Sequence, residues 1–183
     1  IIVTFIDINP LKAIEKKAES LDRKLGRALE IGELAWWDWD YSNNRLSFSD
    51  RQARMLGYNP DDIGPKYEDW AALLHPEDRE AVTGAMAAHL NGDTAFYDMR
   101  YRLKTRDGGY VWFRDRGGIV ERDGNGQPLR LAGVMANINR EKRLEDQRDK
   151  SHELIYKSLD CSPVAKTVVN TEGAITFANK QAQ

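Results

Sequence analysis

Residues 96–138 read FYDMRYRLKTRDGGYVWFRDRGGIVERDGNGQPLRLAGVMANI, and this stretch decides the fold. In its first part Tyr97, Met99, Tyr101 and Leu103 alternate with Asp98, Arg100, Arg102 and Lys104. A period of two, apolar on one face and charged on the other, is the pattern of a half-buried strand. Arg106-Asp107-Gly108-Gly109 then supplies an Asp-Gly turn. A second strand is predicted from Tyr110 to Glu121, carrying Val111, Trp112, Phe113, Ile119 and Val120. Asp123-Gly124-Asn125-Gly126 is a second turn, rich in residues that tolerate positive φ. The third strand, Pro128 to Ile138, carries Leu129, Leu131, Val134, Met135 and Ile138. Loops this short force antiparallel pairing. The product is a meander with one apolar face that the rest of the chain must cover.

Upstream of the meander, Trp37 and Trp39 alternate with Asp38 and Asp40, and Leu46 and Phe48 follow a polar turn, so two short strands are expected. Short helices come next. Asp50 opens one that stops at Gly57, Asn59-Pro60-Asp61-Asp62 starts a turn of another, and Trp70, Leu73 and Leu74 mark a helix ending at His75. Pro76-Glu77-Asp78 opens a helix carrying Val82, Met86 and Leu90, with acids where the helix dipole favours them. Two strands, short helices and three strands imply an α+β fold. Its core is a five-stranded antiparallel sheet with helices on one face.

Two longer helices flank this block. Asn9-Pro10 is a cap followed by proline at the first helical position. Leu11, Ile14, Ala18, Leu21, Leu25 and Ala28 then fall at spacings of three, four, three, four and three. That is a narrow heptad seam with charged flanks, and a parallel two-stranded coiled coil between subunits is expected over residues 10–30, the alternative being an amphipathic helix that lies on its own domain. The second helix, about 140–159, is polar along the equivalent seam of Leu144, Arg148, Ser151, Ile155 and Ser158. Val134 to Asn139 followed by a charged helix repeats Val3 to Asn9 followed by a helix. Residues 164–179 repeat the strand-turn-strand logic of 35–48. The internal repeat implies the end of one module at 1–9, a complete one at 31–139, and the start of a third at 160–183.

The chain has 183 residues and a net charge of -2, which gives no electrostatic case for nucleic acid or an anionic membrane. No apolar run approaches the ~20 residues that span a bilayer, and no membrane contact is expected. Residue 1 is Ile rather than Met, and a segment of a longer protein is expected. One cysteine, Cys161, excludes an internal disulfide framework and fits a reducing, cytoplasmic setting. Three histidines and that cysteine are too scattered for a structural zinc site, so no metal is expected.

The motifs Trp37-Asp-Trp39-Asp40, Leu56-Gly57-Tyr58, His75-Pro-Glu-Asp-Arg79, Arg106-Asp-Gly108, Asp123-Gly-Asn-Gly126 and Gly133-Val through Asn137-Ile-Asn139 stand in order along the chain. In that order they resemble a PAS domain with its PAC extension, of the bacterial signalling type. The resemblance implies a cup between sheet and short helices, and a role in sensing by ligand, cofactor or partner. The ligand-pocket candidates are Trp37, Trp39, Met55, Trp70, Met86, Tyr97, Met99, Tyr101, Phe113 and Met135; the tryptophans either line that pocket or fill the core. Family members usually end the last strand in Asp-Ile-Thr. Here the copies read Asp7-Ile8-Asn9 and Asn137-Ile138-Asn139, so Asp7, Asn9, Asn137 and Asn139 are the signal-relay candidates. Asn137 lacks the ion pair that an aspartate would form.

The resemblance implies a homodimer through the linker helices, contacts with other domains of the same protein, and a small-molecule ligand as a further partner. Its output would be a histidine kinase, with a diguanylate cyclase or a chemotaxis-type methyltransferase hybrid as alternatives. The segment itself is not expected to be an enzyme: it holds no phosphate loop, triad or paired-carboxylate site. No cofactor is expected; a haem or flavin sensor is the alternative. The flavin photosensors' reactive-cysteine run is missing, and His89, near the end of its helix, is expected to face solvent rather than ligate haem. His75 is expected to cap or brace the following helix. Ser151-His152-Glu153-Leu154 resembles the start of a phosphoacceptor motif but lacks its continuation.

Overall fold

A computed structural model describes residues 9–161 and 164–182. The strand expected at 1–8, with Asp7, lies outside the described residues. The chain divides into two compact units, 1–138 and 139–183.

In the first unit, α1 (Asn9–Ile31) ends where Gly32 N donates to the Ala28 carbonyl. β1 (Leu34–Asp40) and β2 (Arg45–Phe48) follow as a hairpin. Its turn is held by the Asp40 carboxylate, which accepts from the Ser42 hydroxyl and from the backbone and side-chain amides of Asn43. α2 (Asp50–Leu56) stops at Gly57, whose φ of 78° is the left-handed cap that glycine supplies without strain. A 3₁₀ turn at Pro60–Asp62 is boxed by Asn59 and Asp62. The helix around Trp70 is shorter than its apolar residues suggest: α3 is Tyr67–Ala71, and Leu74 instead bridges to Leu103 in the sheet. The backbone leaves the helix early because Leu73 O and His75 N bond to Lys104 and Arg102. A second 3₁₀ turn, Pro76–Asp78, leads into α4 (Arg79–Leu90).

β3 (Tyr97–Lys104), β4 (Tyr110–Arg122) and β5 (Pro128–Asn137) complete a five-stranded sheet of order β2-β1-β5-β4-β3, all antiparallel. β5, last in sequence, therefore lies at the centre. One face of the sheet buries Trp37, Trp39, Tyr97, Tyr101, Phe113, Leu131 and Met135 against Leu56, Trp70, Val82 and Met86 of the short helices. The register slips between Ile119 and Glu121, and Val120, of opposite parity to Phe113 and Ile119, is exposed. Asp78 ties α4 to β3. Its carboxylate takes Arg102 Nε at 2.9 Å, Nη2 at 2.7 Å and the Arg102 backbone amide at 2.8 Å, which holds the acid below its usual range.

The second unit begins with α5 (Asn139–Asp160) and ends in a hairpin of β6 (Thr167–Val169) and β7 (Ile175–Ala178). Fully buried Asn179 closes it. Its side chain accepts from Lys166 N and donates to the Leu159 and Val164 carbonyls.

Candidate functional site: an aromatic cavity over a buried carboxylate

The site grows from the register of three strands. Gly117 of β4 pairs with Gly133 of β5, which pairs with Trp37 of β1. Two glycines side by side leave a flat strip of backbone, and the Trp37 indole lies across it. A Cβ at either glycine would collide with the ring and would also fall 2.8 Å from the Ala132 carbonyl at Gly117, or 2.6 Å from the Arg116 carbonyl at Gly133. Laid this way, Trp37 Nε1 reaches Asp115 Oδ1 at 2.6 Å. Tyr101 of β3 donates its hydroxyl to Asp115 Oδ2, also at 2.6 Å. Asp115 is 3% exposed. Burial pushes its carboxyl up to about 6, against the pull of the Tyr101 and Trp37 hydrogen bonds. The Tyr101 phenol is raised in turn by burial and by the neighbouring carboxylate.

Above Asp115 sits a cavity of about 20 Å³. Trp37, Trp39, Tyr67 and Trp70 wall it, Leu46 and Met86 fill its corners, and Gln52 is its second polar group besides Asp115. The rings form a ladder running inward. Exposed Tyr41 meets Trp39 edge-on at 5.1 Å, Trp39 stacks on Tyr67 at 4.6 Å, Tyr67 leans on Trp70 at 5.5 Å, and Trp70 meets Tyr101 edge-on at 5.7 Å.

Of the ten pocket candidates, Trp37, Trp39, Trp70 and Met86 line this cavity. Tyr97, Tyr101, Phe113 and Met135 are buried in the core, and Met55 and Met99 pack half-buried against it. Asp115, Gln52 and Tyr67 escaped the sequence reading. Asp115 stands in a charged stretch of β4, yet it has the parity of Phe113, and that parity was the available signal. His89 departs from expectation: it is buried, not solvent-facing, because it shares the inward stripe of Val82 and Met86 on α4. Its Nδ1 lies 3.0 Å from the Thr94 carbonyl, and it does not line the cavity. Cofactor pockets commonly measure about 300 Å³ or more. At about 20 Å³ this cavity is smaller than that, and His89 stands outside its lining. His75 caps the 3₁₀ turn through Nδ1, which accepts from Glu77 N, and sits edge-on to Tyr110. His152 and Cys161 are exposed.

Among the relay candidates, Asn137 is exposed at the end of β5, opposite Phe113, and Asn139 starts α5. Buried Ile138 is the one residue between them, and its amide donates to Trp112 O. Asn9 starts α1, and Leu11 falls within it. Ile14, Ala18, Leu21, Leu25 and Ala28 are exposed.

A family profile described as the PAS fold matches residues 45–135. The N-terminal domain of a diguanylate cyclase with PAS/PAC sensor from Marinobacter aquaeolei is 30% identical, with a TM-score of 0.54, covering 60% of this chain and 98% of that one. This chain belongs to the PAS family. A sensory box histidine kinase/response regulator from Burkholderia thailandensis is 27% identical with a TM-score of 0.63, over 73% of this chain and 98% of that one. Sensor protein FixL of Bradyrhizobium diazoefficiens is 26% identical over 147 residues, 80% of this chain and 28% of its own length. The chain spans 15% to 28% of the length of the curated relatives it matches. It is a PAS sensor module of the kind found in signalling proteins. Among the described residues, no group of three His, Cys, Asp or Glu side chains is arranged to hold a metal, and no helix is long and apolar enough to cross a membrane.

Proposed function

We propose that this PAS segment relays an event at the aromatic cavity into its flanking helices and dimerises through α1, serving a signalling enzyme elsewhere in its protein. One observation carries the reading. Leu34, just after α1, is the cross-strand partner of Ala136, three residues before α5. The chain thus enters and leaves the sheet at the same end, on adjacent strands. The strand β5 that leads out also carries Gly133, on which the cavity's Trp37 rests. A shift of the indole presses on β5, and Ile138 is the only residue through which the strand could absorb it before the helix starts. In a dimer this biases a packed helix pair, which is a bistable element.

The exposed heptad seam of α1 supports the dimer. A second parallel copy is the partner its three-four spacing fits. Leu25→Asp removes two buried leucines per dimer, worth roughly 3 kcal/mol, or about a hundredfold in dissociation constant. Sedimentation velocity is expected to show a concentration-dependent dimer for the chain and a monomer for the variant. Identical profiles would sink the dimer.

The sensory box histidine kinase/response regulator favours a kinase as output. A diguanylate cyclase is the second reading, favoured by the 30% match to a domain of that description.

A further inference from the structure

The cavity is chemically one-sided. Its walls are the rings of Trp37, Trp39, Tyr67 and Trp70, and no Lys, Arg or His lines it. Two of its polar side chains, Asp115 and Gln52, offer acceptors. Each oxygen of Asp115 already takes one donor, from Trp37 or from Tyr101, and has a lone pair left for another. Gln52 is 1% exposed, and its Oε1 has no hydrogen-bond partner. A buried acceptor without a donor is costly, and so is a buried carboxylate with no cation beside it. Aromatic faces attract the same kind of charge, because the ring quadrupole is negative above the plane. The Asp115 carboxylate, the unpartnered Gln52 Oε1 and the aromatic rings together select a cation that donates hydrogen bonds and carries a little apolar surface.

Volume sets the size. A water needs about 10–15 Å³ measured this way, and the cavity has about 20 Å³, so the buried part of an occupant is one or two heavy atoms. We propose that the cavity binds the head of a small primary alkylammonium ion. The –NH₃⁺ group donates to Asp115 and to Gln52 Oε1, and its first carbon lies against the rings. The inference rests on the cavity being the module's sensory site and names the chemical class that site takes. The ion neutralises the carboxylate that anchors Trp37, so its arrival and departure alter the seating of the indole on β5.

The test uses the whole chain and methylammonium chloride, with sodium chloride at matched ionic strength as the blank and methanol as the uncharged probe of similar size. All five tryptophans lie in the first unit, three of them on the cavity wall, so their fluorescence is the readout. An occupant of two heavy atoms binds at best in the roughly millimolar range. A saturable change is expected below about 100 mM methylammonium. Methanol should bind at least tenfold more weakly, and Asp115→Asn should weaken methylammonium at least tenfold. Gln52→Leu, which buries no charge, should weaken it several-fold while leaving the circular dichroism unchanged; it decides the matter if Asp115→Asn does not fold. Equal binding of methanol, or affinities untouched by both substitutions, would overturn the ammonium class but keep the cavity as a binding site. No saturable change with either probe would overturn the proposal outright, while the relay and dimer stand or fall by sedimentation and hydrogen exchange.

Discussion

The hairpins β1–β2 and β6–β7 are closed by the same pair of bonds. Ser49 N donates to the Trp36 carbonyl, and Trp36 N donates to Ser49 Oγ at 3.2 Å. Asn179 N donates to the Lys166 carbonyl, and Lys166 N donates to Asn179 Oδ1 at 2.8 Å. Both pairs are thirteen residues apart. Beyond the clasp the two hairpins diverge. β1–β2 buries Trp37, Trp39 and Leu46, whereas Val169 and Ile175 of β6–β7 remain exposed. Asn179 adds two bonds of its own to backbone carbonyls, and Ser49, with a shorter side chain, does not. A hairpin can be specified by its clasp and turn, but its burial is imported. For β1–β2 it comes from the meander and short helices; β6–β7 relies on polar bonds and a Tyr156–Phe177 contact.

The largest effect that would break this comparison is expected at the glycine strip, which β6–β7 has no counterpart for. Gly133→Ala drives a Cβ into the Trp37 ring and the Arg116 carbonyl, and backbone cannot step aside as a side chain can. A loss of about 3 kcal/mol is expected from urea unfolding followed by tryptophan fluorescence, with the β6–β7 amides unaffected in hydrogen exchange. An unchanged midpoint would mean that the indole does not lie on the strip.

Asp115 gives the next effect, and it depends on pH. Its folded pKa of about 6 stands above the model-peptide value of 3.8. Between those values the folded protein keeps a proton that the unfolded chain releases, so stability falls as pH rises through the window. The shift corresponds to about 3 kcal/mol at most. Comparing the chain with Asp115→Asn cancels the other titrations, including the lowered Asp78, whose stabilisation is instead lost as pH falls. The chain is expected to lose ground to the variant from pH 4 to 6 and then level off. A flat difference would show that Asp115 titrates normally.

The clasps sharpen the contrast at smaller scale. Asn179→Ala removes three side-chain bonds from a fully buried site and should destabilise its hairpin by about 2 kcal/mol. Ser49→Ala removes one and should cost about 1 kcal/mol or less. Hydrogen-exchange protection of the two hairpins reads both, and the reverse order would refute the claim that β1–β2 is held chiefly by imported packing.

Most of the fold was legible because its signals are local. Alternation from Tyr97 to Leu103, Asp-Gly turns and the cap at Gly57 fix strands and ends without reference to distant residues. The site was harder to read because its signals are relational. Gly117 and Gly133 mean nothing apart; only the β4–β5 register makes them a seat for Trp37. Asp115 is a charge in a charged strand until its parity with Phe113 is taken over its polarity. His89 lies on the inward stripe of α4, where periodicity outweighs residue type. The register slips after Ile119 were not legible either, because a bulge cannot be counted from sequence. Tyr67 stacks on Trp39 across nearly thirty residues of turns and short helices, which no pattern announces.

The central claim is that the cavity floor and the start of α5 move together. Trp37→Phe tests it most directly, since it removes the Nε1 bond to Asp115 while leaving a ring on the glycine strip. Hydrogen exchange is measured peptide by peptide in the chain and the variant. The account predicts faster exchange in β1 and β5 that continues through Ile138 into the first turns of α5. Acceleration confined to the sheet, with the α5 amides after Asn139 unchanged, would contradict it.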